Sequence, residues 1–261
     1  MRIVIYPHQM ASHGAKRLRD AFRSAGHRSM LVRPNGKYQP RPRDLILGWG
    51  NSALPNWHGR TAGTTWLNIP SEIPSATNKR LAFDKFQAAE VKTPKVTTDH
   101  EVAREWLRKG KRVIGRQRLQ ASRGEGIVVM ESLEQFVQCP LYTRWKSADR
   151  EYRVYVLNDR VIDVIQKKRP NGSQDLGIIR SAAQGWVYCR TDIRPLPEAA
   201  AQEAVKAVRA LGLQFGGVDL LWGNKSGAHI LEVNTSPGIE GVGVQQIANA
   251  ILQQYSQGAR Q

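Results

Sequence analysis

The first 75 residues alternate between the apolar patterns of strands and of a helix. A mostly apolar run at residues 2–6 is typical of a buried strand, and runs at 29–32 and 44–50 predict two more. Between the first two runs, residues 11–25 predict a helix that ends at Gly26. The apolar face of this helix consists of Ala15, Leu18, Ala21 and Phe22. Strand, helix and strand at this spacing predict a small parallel α/β lobe.

The rest of the chain predicts helices that alternate with pairs of strands. A boundary rich in proline and capping residues at 69–78 precedes a helix from Lys79 to about residue 90. The later elements are a helix at 98–109, strands at 111–119 and 127–130 around a glycine loop at 121–126, a hairpin at 151–166, a helix at 197–211 and a hairpin at 215–234. The hairpin at 151–166 is predicted to turn at Asn158 and Asp159, and the helix at 197–211 is predicted to end at Gly212.

The charge of the chain indicates what it attracts. The 39 lysines and arginines exceed the 22 acidic residues, and the net charge is +17. Such a surface attracts polyanions, which include nucleotide phosphates, nucleic acid and an acidic protein tail. Because the basic residues are spread along the chain and not gathered in a tail, nucleic acid is the less favoured partner. A solvated basic surface without a polyanionic partner is the open alternative.

The apolar runs and the cysteines narrow the expected compartment. No apolar run approaches the ~20 residues of a membrane helix, so no membrane span is expected. The first run is also too short for the apolar core of a signal peptide. Cys139 and Cys189 lie far apart, which disfavours a disulfide framework or a zinc site and favours a reducing cytoplasm. Nothing in the sequence indicates an oligomeric state.

Three oxygen-bearing side chains near the C-terminus carry the strongest chemical signal. Glu232 and Asn234 alternate along a predicted strand, so they face the same side about 7 Å apart. If the hairpin turns at 224–227, its register places Asp219 opposite Glu232 on that face. Each carboxylate is flanked by apolar residues, where two like charges require a neutralising cation. Oxygen ligands favour Mg²⁺, whereas the alternative is that one or both acids lie on a solvent-exposed face.

The segment at 218–241 resembles the metal-binding core of the ATP-grasp ligases. The nearest branch is the one that adds glutamate to the C-terminus of a ribosomal protein. The resemblance covers about residues 75–245 and implies an α/β protein of the ATP-grasp fold. In this fold, an N-terminal parallel α/β lobe at 1–75 accompanies two β-rich lobes, at 76–141 and 142–261, that clasp ATP between them.

The resemblance also implies roles for individual residues. Asp219, Glu232 and Asn234 fall on the family's Mg²⁺ ligands, and Mn²⁺ is an alternative ion. Arg153 matches a family arginine that stabilises charge on the transferred phosphoryl group or binds the acyl substrate, and Arg180 matches a second arginine near the phosphates. Both are expected to be catalytic, and a surface charge is the alternative for each. The expected nucleotide contacts are Lys79, Arg116, Arg118, Ser122, Gly124, Gly126, Tyr142, Thr143, Arg144, Trp145 and Lys146.

Two segments in this set are expected to act through their backbone. Residues 121–126 resemble the glycine loop that closes over ATP, where backbone N–H groups face phosphate oxygens. Residues 142–145 lie where the family's hinge contacts adenine. An ordinary hairpin turn and an ordinary linker are the respective alternatives. Lys167 and Lys168 are expected along the same cleft, or else on the surface.

Two positions depart from the family's pattern. The family usually has a lysine on the strand before the glycine loop, so Arg116 or Arg118 has to replace it here. A guanidinium group holds phosphate with a different, forked geometry. The family's asparagine two residues after Arg180 is Ala182 in this chain, which affects the expected geometry of a second metal ion.

The resemblance implies an ADP-forming carboxylate–amine ligase that uses ATP and Mg²⁺. A substrate carboxylate would become an acyl phosphate, and an amine would then displace phosphate to form an amide or peptide bond. Positioning and electrostatics carry such a reaction, so no nucleophilic residue is needed, and His8, His13 and His27 are interpreted as structural or surface residues. A basic cleft favours small-molecule or peptide substrates that are acidic. The alternatives are a polyanion-binding protein without ligase activity and a small-molecule kinase, both on the same fold.

Overall fold

The computed structural model describes residues 1–121, 125–170, 172, 178–180 and 184–257. The first lobe contains a four-stranded sheet in the order β2-β1-β3-β4, with all pairs parallel. Its elements are β1 (Arg2–Pro7), α1 (His13–Ser24), β2 (Arg28–Leu31), β3 (Leu45–Trp49) and β4 (Thr65–Leu67). The predicted parallel α/β lobe is therefore confirmed, whereas β4 is too short for a residue pattern to predict.

The first strand is covered on both faces, as its continuous apolar run predicts. Ile3 and Ile5 lie on the face that packs against α1, and Val4 and Tyr6 lie on the opposite face in an aromatic cluster around Trp57. Since side chains alternate along a strand, this burial on two sides requires apolar residues at every position.

The second lobe is a four-stranded antiparallel sheet in the order β5-β8-β6-β7. Its elements, with the helices that lead into it, are α2 (Ile73–Thr77), α3 (Lys79–Ala88), β5 (Val96–Thr97), α4 (His100–Arg108), β6 (Val113–Arg116), β7 (Ile127–Met130) and β8 (Leu141–Arg144). Helix α3 begins at Lys79, as predicted, because the Asn78 side chain accepts hydrogen bonds from the N–H groups of the next turn. Strand β8 includes most of the segment that was expected to be a hinge.

The third lobe is a five-stranded antiparallel sheet in the order β11-β10-β9-β12-β13. Its elements are β9 (Arg150–Leu157), β10 (Arg160–Lys168), β11 (Val187–Cys189), α5 (Glu198–Ala210), β12 (Phe215–Gly223), β13 (Gly227–Asn234) and α6 (Val242–Gln257). Both predicted hairpins are present, and Asn158 and Asp159 have φ angles of 40° and 65° at the first turn. These left-handed conformations match the twist of a two-residue hairpin turn.

Short connections complete the chain. The 3₁₀ helices at His58–Arg60, Pro70–Glu72 and Leu133–Gln135 lie between the larger elements.

Pro197 is the N-cap of α5 and not a residue of its first turn, because the proline has an extended backbone with ψ of 143°. Across the described ranges, no helix is long and apolar enough to cross a bilayer.

The five-stranded sheet is covered on one face and only half covered on the other. On the first face, Val154 and Val218 pack in a core with α2, α3 and α5. On the second face, Leu157 and Phe215 pack against the first lobe and α6. The other half of this second face carries charged residues such as Arg153 and forms the floor of a cleft.

Candidate active site

A cleft of about 1260 Å³ lies where the three lobes meet. The first lobe contributes residues that follow β1 and begin α1, including His8 and His13, whereas His27 does not line the cleft. The second lobe contributes the ends of β6 and β8, and the third lobe contributes the floor. Small-molecule sites occupy roughly 300–1,000 Å³, so the cleft is large enough for a nucleotide together with a second ligand.

Adjacent strands place the charged residues of the floor side by side. Asp219 on β12 is paired with Glu232 on β13, as predicted. The turn is shorter than the expected 224–227, because Gly223 is already paired with Gly227, and a one-residue shift of the register between Asp219 and Leu220 restores the expected pairing. On its other side Asp219 is paired with Arg153 on β9, and Arg153 is paired with Ile165 on β10. These four residues form one row across the sheet, and Asn234 lies two positions beyond Glu232 on the same face.

Asp219 is buried between two cations. The Arg153 guanidinium donates two hydrogen bonds to its two carboxylate oxygens, at 2.6 Å and 2.8 Å. The Lys167 ammonium group lies 3.3 Å from Asp219 Oδ2 and also pairs with the buried carboxylate of Glu151. Such two-fold pairing of an arginine with a carboxylate is among the stronger polar contacts in proteins.

Burial and charge act against each other in this cluster. Burial by itself lowers the pKa of Lys167, but the carboxylates of Asp219 and Glu151 outweigh it and raise that pKa above its usual range. Burial raises the pKa of Glu151 above its usual range, although the Lys167 charge opposes this. Lys167 therefore remains protonated at neutral pH and holds the two acids together.

Glu232 has its own cationic partner from another lobe. Lys79 at the start of α3 places its Nζ 2.8 Å from Glu232 Oε2, and the Asn234 amide donates a 3.1 Å hydrogen bond to Oε1. Burial by itself raises the pKa of Glu232, but Lys79, aided by Arg116, outweighs it and holds that pKa far below its usual range. The carboxylate is therefore ionised across the neutral range.

The family is decided by a match over the part of the chain that contains these strands. The family model described as "RimK-like ATP-grasp domain" matches residues 118–254, which are slightly more than half of the chain. The chain belongs to this ATP-grasp family. The resemblance found in the sequence is thereby confirmed.

Relatives of this ATP-grasp chain include proteins named as ligases. A probable alpha-L-glutamate ligase of Rhodopirellula baltica is 28% identical over 136 residues, which are 48% of this chain and 32% of that protein. A protein of the same name from Xanthomonas oryzae pv. oryzae is 36% identical over 115 residues, 42% of this chain and 36% of that protein. The chain thus spans about a third of the length of these curated relatives.

A solved structure shows the same fold over nearly the whole chain. The ATP-grasp ligase PsnB, complexed with a phosphomimetic variant of its minimal precursor, Mg and ADP, is similar with a TM-score of 0.69. The similarity covers 97% of this chain and 98% of PsnB at 14% sequence identity. The expected ATP-grasp fold is therefore confirmed for this chain.

The cleft of this ATP-grasp domain collects most of the residues expected at the site. Those that line it are Lys79, Arg116, Arg118, Thr143, Arg144, Trp145, Lys146, Arg153, Arg180, Asp219, Glu232 and Asn234. Lys167 lines the same cleft, whereas Lys168 lies in a neighbouring depression with Arg180. Residues from separate lobes, such as Lys79 and Glu232, meet there.

The side chain of Tyr142 is the clear exception. It is fully buried in the core of the second lobe, where its hydroxyl accepts from the Cys139 N–H and donates to the Val137 carbonyl. Nearby, the N–H groups of Arg144 and Trp145 already donate to carbonyl groups of their own lobe. The Tyr142 side chain therefore does not reach the cleft, and a contact from this position would require the backbone.

The glycine loop is described only in part. Gly126 has a φ of 70° at the start of β7, and its carbonyl accepts a hydrogen bond from the Gln117 N–H. Arg118 pairs with Glu125 at an exposed position of the same loop. The other expected positions of this region, Ser122 and Gly124, lie outside the described residues, as does the departure at 182.

The donors at the site fit the groups that the family implies. Two carboxylates and one amide oxygen are hard oxygen ligands of the kind that Mg²⁺ takes. Among the described residues, no cluster of three or more His, Cys, Asp or Glu side chains could hold a metal ion. A Mg²⁺ ion bound by Asp219 and Glu232 would therefore take the amide oxygen of Asn234 as a third protein ligand. Among the residues that the structure describes, Arg116 Nε is buried and has no hydrogen-bond partner, which is costly unless an acceptor such as a phosphate oxygen is supplied.

The structure also adds aromatic and charged residues that the sequence did not single out. The Arg153 and Lys167 cations lie 5.2 Å and 5.5 Å from the ring centre of Tyr188, and Arg180 lies 5.0 Å from that of Trp186. Arg190 lines the cleft as well. Their segment has no helix-like or long strand-like pattern, so no sequence signal connected them to the site.

Proposed function

We propose that this protein is an ATP-dependent carboxylate–amine ligase that forms an amide or peptide bond and releases ADP. The observation that carries the proposal is the meeting of Asp219, Glu232 and Asn234 with the cations Lys79 and Arg153 in one cleft of an ATP-grasp fold. The names of the relatives support it, since they describe ligases.

The residues of the cleft divide the work of such a reaction. Lys79, Arg116 and Lys167 supply positive charge for a triphosphate. The buried Nε of Arg116, which no described residue accepts from, can donate to a phosphate oxygen. Asp219, Glu232 and Asn234 would hold Mg²⁺, which supplies charge neutralisation on the phosphates when bound. Arg153 and Arg180 stabilise negative charge where the phosphoryl group is transferred.

The substrate reaction follows the chemistry of the two functional groups. A carboxylate oxygen attacks the γ-phosphorus, ADP leaves, and an acyl phosphate forms. An amine nitrogen then attacks the acyl carbon, phosphate leaves, and the amine loses a proton. Because the reactants are held in place and their charges are stabilised, the protein needs no covalent intermediate of its own. The basic cleft supports acidic amino acids or peptide ends as substrates.

We further propose that the chain works as three lobes, at 1–75, 76–141 and 142–261, with ATP between the last two. The division is supported by the three separate sheets. Cys139 and Cys189 are both free, which supports a reducing compartment such as the cytoplasm.

The test of the proposal is the variant Glu232→Gln. It keeps the shape of the side chain but removes the charge that pairs with Lys79 and would bind the metal. We expect release of ADP and phosphate in the presence of pooled amino acids and peptides to fall by about a hundredfold or more. Circular dichroism should show that the fold survives, and Glu198→Gln, on the exposed end of α5, should keep full turnover. Full activity in Glu232→Gln would refute the assignment.

A second candidate, a polyanion-binding protein without ligation, is favoured by one observation. Arg116 or Arg118 has to take the place of the expected family lysine, and both arginines line a cleft rich in cations. Under this alternative, an oligonucleotide would bind with an affinity that falls steeply with salt, while no acceptor amine would stimulate ADP release. The proposed ligase function requires that an acceptor amine does stimulate ADP release.

A further inference from the structure

Arg190 is a cleft arginine that lies apart from the residues assigned to nucleotide and metal. It directly follows β11, and the antiparallel register that pairs Gln166 with Cys189 continues to place Arg190 beside Ile165. Ile165 is in turn paired with Arg153. Arg190 therefore extends the row of Arg153 and Asp219, two strands or about 10 Å from Arg153 along the sheet.

A buried carboxylate holds Arg190 in place on one side only. Its Nε and Nη2 donate at 3.2 Å and 2.8 Å to the same oxygen, Oδ2 of Asp163. The second oxygen of Asp163 accepts from the Val164 N–H. Within the part of the chain that the structure describes, Nη1 of Arg190 donates no hydrogen bond. One edge of the guanidinium group is thus fixed, and the remaining donor can reach a ligand in the cleft.

The neighbouring helix leaves room for this guanidinium. A Cβ atom at Gly243 in the first turn of α6 would lie 1.9 Å from Arg190 Nη2, so a larger residue cannot occupy that position without moving the arginine. The first turn of a helix carries partial positive charge. The Arg190 cation beside this helix end therefore favours a second anion, in addition to the Asp163 carboxylate. This anion would bind at the edge of the guanidinium group that faces the cleft.

The row between the two arginines is apolar. Ile165 separates Arg190 from Arg153. Tyr155 lies two residues after Arg153 on the same strand, opposite Asp163, and its hydroxyl donates at 2.6 Å to the Gly238 carbonyl. Burial raises the pKa of Tyr155 to about 12, although Arg153 and Arg190 oppose this, so it stays a neutral donor. A ligand with a short hydrocarbon chain over Ile165 and an anionic group beside Arg190 would fit this part of the cleft.

We propose that Arg190, positioned by Asp163, is a specificity-determining residue that binds a non-reacting carboxylate of the substrate. The reacting end lies over Arg153 and Asp219, and Ile165 contacts the hydrocarbon between the two ends. This inference rests on the proposed ligase function and goes beyond it, because it states which side chain selects a substrate with a second acidic group. A purely structural ion pair between β10 and β11 is the competing explanation.

The test compares a charged probe with its neutral isostere. Binding of L-glutamate and L-glutamine is measured by calorimetry with ADP and Mg²⁺ present, for the wild type, Arg190→Met and Arg160→Met. Arg160 is an exposed arginine on the same strand as Asp163 and serves as the matched control. We expect the wild type and Arg160→Met to prefer L-glutamate by about tenfold or more, the range of a charge-assisted hydrogen bond. Arg190→Met should lose the preference and keep its affinity for ADP.

Each other result overturns the proposal in a defined way. A wild type without preference for L-glutamate, or an Arg190→Met variant that keeps it, excludes the role of Arg190. If Arg190→Met fails to fold, Arg190→Gln decides, because it removes the charge but keeps an N–H donor for Asp163. An unchanged preference for L-glutamate in that variant also excludes the role. Preference for L-glutamate without any ADP release would overturn the ligase function alone and leave the assignment of Arg190 standing.

Discussion

Individual acids of the cleft are each held by a cation from a distant part of the chain. Glu232 is bound by Lys79, which is 153 residues away, and Asp219 by Arg153, which is 66 residues away. A buried carboxylate that loses its partner becomes an uncompensated charge, which is strongly destabilising. The same cations would be displaced from the acids when a divalent ion binds, and they would then be available to the phosphates.

A residue-level prediction concerns this exchange of partners at Glu232. In Lys79→Met the carboxylate loses its internal cation, so a metal ion no longer has to compete for it. We expect the affinity for Mn²⁺ without nucleotide to rise several-fold, and the affinity for ADP to fall about tenfold because a phosphate partner is lost. Electron paramagnetic resonance of Mn²⁺ and calorimetry of ADP measure the two effects. Lys85→Met on the same helix should change neither, and a fall in both affinities would contradict the prediction.

Among the elements, the junction of β3 with the segment after β4 is set by a close backbone approach. A Cβ atom at Gly48 would lie 1.9 Å from the Asn68 carbonyl oxygen. Asn68 in turn bonds to the start of β12, since its side chain donates to the Phe215 carbonyl and accepts from the Phe215 N–H. The glycine therefore lets the first sheet and the sheet of the site share one buried contact.

An element-level prediction follows for Gly48→Ala. The added methyl group collides with backbone and not with a flexible side chain, so the strands have to separate. We expect the free energy of unfolding to fall by about 3 kcal/mol, at the upper end of the cost of overpacking. Urea denaturation gives this value. Gly59→Ala, where no atom of the described residues lies within 4 Å of the added methyl group, should stay close to the wild type. Equal stability of the two variants would contradict the prediction.

For the whole molecule, α6 determines how the lobes are held together. Its residues Ile247, Ala248 and Ile251 are fully buried with Leu18 of α1 in a core that also contains Leu157 of β9. The C-terminal helix thus packs on the N-terminal lobe and joins it to the sheet that carries the site. The first lobe and α6 cover half of the sheet face that carries Arg153 and Asp219. The uncovered half of that face forms the floor of the cleft.

A prediction for the whole molecule is that Ile251→Ala weakens this junction. Deleting a fully buried isoleucine typically costs 2–5 kcal/mol, roughly, through lost burial and the cavity left behind. We expect the melting temperature to fall and affinity for ADP to decrease at temperatures near the transition, because the first lobe lines the cleft. Differential scanning calorimetry checks the stability. Gln253→Ala on the exposed side of the same helix is the control. Equal melting temperatures of the two variants would contradict the role of α6 in joining the lobes.

The alternation that places Glu232 and Asn234 on one face of their strand is local to the sequence. The pairing of Asp219 with Glu232 was expected as well, but it depends on a one-residue register shift beside Asp219 that the residue pattern does not contain. The start of α3 at Lys79 is likewise local, since Asn78 caps it. By contrast, the inward turn of Tyr142 and the pairing of Arg190 with Asp163 were decided by tertiary structure. Which face of a strand is buried, and which distant carboxylate an arginine meets, depends on elements that only the complete fold brings together.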